Sequence, residues 1–224
     1  MMGLPTRLRL ARVGVLTDLG PASTWARWCA AVFRAGAQLL LIRDTGDRLP
    51  MDEALTTARR AAVAHRGLVG VINPRTPGLR SDVVHVARME AGTPGDGRTL
   101  IGCHASTQAE FTALMGDPRV SFVTVTAPWW LSGGAAPGTG SVADSGVRLD
   151  GRPWLPPKPW FLARDFAPGE IQRVLTSGVR RVIVGAHALD LEQLTAVSTA
   201  VRGAWNADAA ERKPPRQNLH SKGL

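Results

Sequence analysis

The stretch 39–73, LLLIRDTGDRLPMDEALTTARRAAVAHRGLVGVIN, decides the fold. It opens on an apolar run, Leu39–Arg43, and closes on another, Leu68–Asn73. Between them Leu55, Ala58, Ala62 and His65 recur at helical spacing, which predicts a helix over Met51–His65. Strand, helix and strand in that order form one unit of a parallel α/β architecture. The same kind of run recurs outward in both directions: Val13–Thr17, Val83–Val86, Leu100–His104, Phe122–Thr126, Trp160–Arg164 and Val182–Gly185. Eight such runs, several separated by helical patterns, predict a TIM (β/α)8 barrel.

The connections differ in quality. Ser23 as cap and Gly36 as terminator bound a helix over Ser23–Ala35. Thr107 and Glu110 form a capping box for a helix that ends before Asp117-Pro118. A short helix is expected over Gly169–Thr176, ending at Gly178. Asp190 and Gln193 cap a last one, Leu191–Trp205, with Leu194, Val197 and Val201 on its buried stripe. The links after strands 3, 4 and 6 are rich in Gly and Pro, so their helices are expected to be reduced or replaced by loop. The longest is a loop over 128–159, in which no apolar period survives. Residues 1–205 read as one barrel domain, and 206–224 as a disordered C-terminal tail.

The chain has 224 residues, 44% of them hydrophobic, enough for one compact domain with a large core. No run approaches the roughly 18 apolar residues of a membrane span, and the basic start lacks a signal-peptide pattern. Two cysteines, neither in a metal-type pair, do not make a disulfide framework, which points to a reduced cytoplasm. The net charge of +9 comes almost wholly from scattered arginines, since Lys158, Lys213 and Lys222 are the only lysines. With no basic stripe interleaved by aromatics, nucleic acid is not expected as a partner. A phosphorylated small molecule is expected instead, and a homo-oligomer is compatible with the sequence.

In such a barrel the chemistry collects where the strands end. Those ends supply Asp18, Arg43, Asp44, Asn73, Arg75, His104, Ser106, Thr126, Trp129, Trp130, Arg164, Asp165, Gly185 and His187, with His85 inside the fourth strand and Glu90 beyond it. Arginine forks bind phosphate, and histidines move protons near neutral pH. Each candidate has a plainer reading too. Arg43 and Asp44 could be a rim ion pair, His85 a packed core histidine, and Trp129 and Trp130 anchors of the long loop. Nucleotide-binding and zinc-protease signatures are missing from the chain.

The ordered succession of motifs over about 12–205 resembles the thiamine phosphate synthase family of barrels, which includes the thiazole tautomerases. Gly36-Ala37 and Arg43 match its strand-two motif. Ile72, Asn73 and Arg75 match its Ile-Asn-Asp-Arg, and Val84-His85 with Glu90 matches its Val-His-Leu-Gly-Gln-x-Asp. Ile101-Gly102 and Pro128 with Trp130 follow in order. The resemblance implies a transferase of thiamine biosynthesis that couples a pyrimidine diphosphate to a thiazole phosphate with Mg2+. Taken with the strand-end reading, it leaves His104, His85 and Arg43 as catalytic candidates, His104 lying two residues before Ser106, where the family has its His, and Asn73, Arg75, Trp129, Trp130, Arg164, Gly185 and His187 as substrate contacts. Glu90 and Asp44 are the candidate metal ligands. The chain departs from the family at Leu41, Thr45, Pro74 and Arg164-Asp165, where the family has Gln, Lys, an aspartate and Gly-Gly. These departures remove a pyrimidine hydrogen bond and a metal carboxylate. Two further expectations follow: a thiazole tautomerase-like isomerase, which needs only proton transfer, and a non-catalytic relative that binds a phosphometabolite or a partner.

Overall fold

The computed structural model describes residues 2–44, 51–75, 78–89, 98–126, 158–167, 169–186 and 190–211. Eight parallel strands close into a barrel in sequence order: β1 (Val13–Asp18), β2 (Leu39–Arg43), β3 (Leu68–Ile72), β4 (Val83–Val86), β5 (Leu100–Ala105), β6 (Phe122–Val125), β7 (Trp160–Ala163) and β8 (Val182–Gly185). β8 closes on β1, with Val13 opposite Val182. Each strand falls on one of the apolar runs, within a residue or so at its ends.

The period of two sorts the side chains. Leu39, Leu41, Leu68, Val83, Leu100, Phe122, Phe161 and Ile183 fill the lumen. Leu40, Ile42, Val69, Val71, Val123 and Val184 face the outer layer. Lumen packing depends on small residues opposite large ones: a Cβ on Gly102 would lie 2.2 Å from the Phe122 ring. Phe122 in turn meets Phe161 edge-on, with centroids 5.7 Å apart.

Helices α2 (Ala22–Arg34), α3 (Met51–Val63), α4 (Gln108–Gly116), α5 (Glu170–Thr176) and α6 (Leu191–Glu211) follow β1, β2, β5, β7 and β8. Among the described residues no helix follows β3, β4 or β6, as the Gly- and Pro-rich links predict. The loop expected over 128–159 lies almost wholly outside the described residues.

Three expectations need correction. Ser23 does not cap α2: the helix starts at Ala22, and Pro21 at the N-cap makes no side-chain bond. Helix α6 does not stop at Trp205 but continues to Glu211, so the predicted tail begins too early; residues 212–224 lie outside the described residues. The extra turns are fastened by a fork of Arg180 onto Asp208, at 2.7 and 2.9 Å. The third correction is helix α1 (Leu4–Leu10), in the segment read only as a basic start. Leu8 is 2% exposed and joins the lumen cluster with Ala11, so α1 plugs the N-terminal end of the barrel. Arg181 clasps the plug, donating from Nε to the Ala11 carbonyl and from Nη2 to the Arg9 carbonyl, both at 3.1 Å.

The other capping expectations hold. The Thr107 hydroxyl accepts from the Glu110 amide at 3.2 Å, and Asp190 accepts from the Gln193 amide at 2.7 Å. Gly36 leaves α2 with φ of 103°, a left-handed conformation that favours glycine.

Candidate active site

Parity along β4, β5 and β6 brings three polar side chains into the lumen. His85 shares its face with Val83, His104 with Leu100 and Gly102, and Thr124 with Phe122. His104 lies directly across from Thr124 in the β5–β6 register. The Thr124 hydroxyl meets His85 Nε2 at 2.9 Å and His104 Nδ1 at 3.3 Å. Thr124 is 2% exposed and His85 8%, so the bridge is formed away from bulk water.

A hydroxyl carries one proton and two acceptor sites. Thr124 can therefore donate to one imidazole while it accepts an N–H from the other. Nδ1 of His104 is taken by Thr124, which leaves its Nε2 for a substrate. His85 Nδ1 is buried and has no hydrogen-bond partner. Beneath the bridge is an aromatic floor, with the Phe122 ring centroid 5.9 Å from that of His85.

Electrostatics hold both rings neutral. Burial, and secondarily the neighbouring His104, push the His85 imidazole down to about 4. Burial also lowers His104, against a smaller upward pull from Glu110. Glu110 is itself anchored, accepting from the Ser106 amide at 2.7 Å. A pair of neutral imidazoles joined through a hydroxyl can accept, pass and return a proton.

Around this bridge the rim is already paired. Arg43 binds Asp18 at 3.1 Å, so the rim ion pair forms with Asp18 and not with Asp44. Asp44 Oδ2 accepts from the Arg75 backbone amide at 3.3 Å, tying the end of β2 to the turn after β3. Asn73 has φ of 44°, donates its amide to the His85 carbonyl at 2.8 Å and accepts from the Ala87 amide at 3.0 Å. Its observed contacts stitch β3 to β4 and thereby hold the strand that carries His85. Arg164 forms an ion pair with Glu170 at the start of α5, and its guanidinium lies 5.2 Å over the Phe166 ring. Its Nε is buried without a partner. At Gly185 a Cβ would lie 2.1 Å from Asp165 Oδ1, so the carboxylate of Asp165 occupies the end of β8. Glu90, Trp129, Trp130 and His187 lie outside the described residues.

The described residues alone do not make up the Mg2+ site that the family resemblance implies, and Glu90 lies outside them. Pro74 offers no carboxylate, and Asp44 already accepts from Arg75. Among the described residues no group of three His, Cys, Asp or Glu side chains could hold a metal ion. Covalent chemistry is also poorly provided for. Burial raises the Cys29 thiol to about 12 and raises Cys103 as well, so neither offers a ready thiolate. Lys158, the lysine among the described residues, is at the opposite end of the barrel, donating to the carbonyls of Leu114 and Asp117.

Sequence reading found both histidines but missed Thr124. The signal was available: a threonine at Phe122 parity within an apolar run points a hydroxyl into the lumen.

No protein-family model matches the chain, and no curated protein does. Solved structures match it over most of its length. A 4-hydroxy-2-oxoglutarate/2-dehydro-3-deoxyphosphogluconate aldolase aligns over 91% of this chain and 99% of its own, with TM-score 0.58 and 12% identity. A 2-keto-3-deoxy-6-phosphogluconate aldolase from Zymomonas mobilis aligns over 89% and 96%, with TM-score 0.53 and 12% identity. A geranylgeranylglyceryl phosphate synthase from Thermoplasma acidophilum, in complex with sn-glycerol-1-phosphate, aligns over 91% and 100%, with TM-score 0.50 and 12% identity. At these identities the matches establish the barrel fold and nothing finer. None of these three is a thiamine phosphate synthase, so that resemblance rests on sequence motifs alone. Among the described residues no helix is long and apolar enough to cross a membrane.

Proposed function

We propose that the chain is a proton-transfer enzyme of the isomerase or tautomerase type, acting on a small phosphorylated substrate at the C-terminal mouth of the barrel. The observation that carries this reading is the bridge from His85 through Thr124 to His104. His104, neutral at pH 7, takes a proton from an acidic C–H or N–H of the substrate. The resulting cation is stabilised through Thr124, and the proton returns to a different atom of the same substrate. No second substrate is consumed, and no step is routed through a metal.

The phosphorylated thiazole of the tautomerases is the first compound to test, because the motif succession resembles that family. The coupling reaction of the synthases draws less support. Leu41 stands where the family has its pyrimidine-binding Gln, and it is packed in the lumen at 2% exposure. An imine-forming aldolase reaction would need a lysine amine at the mouth. Among the described residues none is there. The sn-glycerol-1-phosphate bound to the matched geranylgeranylglyceryl phosphate synthase suits a phosphorylated substrate here.

The test is isomerisation of the phosphorylated thiazole in D2O, followed by NMR. Solvent deuterium should enter the substrate, and His104→Ala should slow turnover by about 10²–10⁴-fold. Thr124→Val should slow it less, because it removes the bridge and keeps the base. The acid limb of kcat/KM should fall below the ordinary histidine value of about 6.5, since burial lowers His104. Formation of thiamine phosphate from the pyrimidine diphosphate, the thiazole phosphate and Mg2+ would return the chain to the synthases. Saturable binding with no exchange and no turnover would leave the non-catalytic reading.

A further inference from the structure

The opposite end of the barrel has its own concentration of unspent polar groups. A cavity of about 440 Å³ opens there between the α1 plug, the end of α2 and helix α6. Arg12, Arg202 and Ser198 line it. The three converge: Ser198 and Arg202 are four residues apart on one face of α6. A Cβ built on Gly36 would meet Ser198 Oγ at 2.8 Å and Arg202 Nη2 at 3.8 Å. Glycine, with φ of 103°, keeps that space open.

Two features point to a ligand. Ser198 is 4% exposed, and its Oγ has no hydrogen-bond partner. A buried hydroxyl left unpaired costs free energy until something bonds to it. The positive charge is also unbalanced. Among the described residues the ion pairs join Arg43, Arg59, Arg119, Arg164 and Arg180 to carboxylates, and none of them includes Arg12, Arg181 or Arg202. Arg12 and Arg181 both lie over the Trp205 ring, at 4.5 and 5.0 Å, which positions their charges without neutralising them. Arg12 is held below its ordinary value by burial and by Arg202, and Arg181 falls to about 10 through burial and Arg12. Arg12 and Arg181 stay protonated at neutral pH.

The remaining wall is mixed, with Gln38 and His65 beside Leu10, Val13, Phe33 and Ala37. Phe33 and His65 line the cavity as a stacked pair with centroids 6.4 Å apart, and Leu10 stands at its edge 49% exposed.

We propose that this cavity binds a small organic anion, with a phosphate-type head on Arg12, Arg202 and Ser198 and a flat apolar body against Phe33 and Leu10. The site is separate from the histidine mouth, and its occupancy does not depend on the chemistry assigned there.

Phenyl phosphate is the probe, titrated into the full-length protein at constant ionic strength by calorimetry and ligand-observed NMR. Saturable binding is expected, weakened about tenfold or more in Arg202→Gln, because a charge-assisted contact is lost. Ser198→Ala, a nearly isosteric change, should weaken it by a smaller factor. Phenol should not bind, and inorganic phosphate should compete more weakly than phenyl phosphate. Arg202 is exposed, so the melting temperature of Arg202→Gln should match the parent. Absence of saturable binding up to about 10 mM would overturn the proposal. So would affinity unchanged in both Arg202→Gln and Ser198→Ala, or affinity lost in His104→Ala, which would assign the ligand to the mouth.

Discussion

The two ends of this barrel handle buried polar groups in opposite ways. At the mouth, burial removes charge: His85 and His104 are pushed toward neutrality and share one hydroxyl. At the plugged end, Arg12 and Arg181 keep their charge, and among the described residues no ion pair joins Arg12, Arg181 or Arg202 to a carboxylate. The difference is in the intrinsic pKa. Histidine begins near neutrality, so a modest desolvation cost is met by losing the proton. Arginine begins so high that the same cost leaves it charged. A mouth built from histidines can move protons, whereas an end built from arginines can only hold an anion.

The comparison breaks most visibly with pH. His85 titrates near 6.5 in the unfolded chain and at about 4 when folded, so between those values the unfolded state binds more protons. Stability is therefore full above about pH 6.5 and declines as pH falls toward 4, by at most about 3 kcal/mol from this residue. Urea midpoints at pH 7 and 4.5 would register it, and His85→Gln should flatten the slope. The arginine end adds nothing in that window, because Arg181 stays protonated throughout.

The floor beneath the mouth is the next lever. Gly102→Ala places a methyl against the Phe122 ring, which also packs against His85. We expect a loss of about 1–3 kcal/mol in a melting curve. Turnover should fall with it, because the floor must move. A variant as stable and as active as the parent would show that the lumen yields without cost.

The smallest effect is expected at the plugged end. Asp208→Ala removes the partner of Arg180, a partly buried fork, and should cost about 1 kcal/mol. Hydrogen exchange should rise in the last turns of α6 while activity at the mouth is unchanged. A large loss of activity would instead mean that the two ends are coupled.

How much of this was legible beforehand differs by level. The strands were readable because each is a short apolar run bounded by polar or turn residues, and all eight were located. The capping boxes at Thr107 and Asp190 were readable because a cap is a local contact between residues three apart. Helix α1 was missed because seven residues, two of them arginines, are too few to show an amphipathic stripe. Its helix is stabilised by burying Leu8 under the barrel. The end of α6 was misplaced for a similar reason, since the Arg180–Asp208 contact spans distant parts of the chain.

The site divides the same way. That His104 ends a strand, and that His85 lies inside one, follows from local pattern. Sequence periodicity by itself determined that this chain forms parallel strands with helices between them, and that polar residues gather at the strand ends. Tertiary structure decided which of those residues meet. Barrel closure and stagger set His85, Thr124 and His104 around one hydroxyl, and the same closure sent Arg43 to Asp18, Asp44 to the Arg75 amide and Arg164 to Glu170. The physical reason is that alternation along a strand reports which face a side chain takes, whereas contact across the lumen depends on stagger between strands, which no single strand encodes.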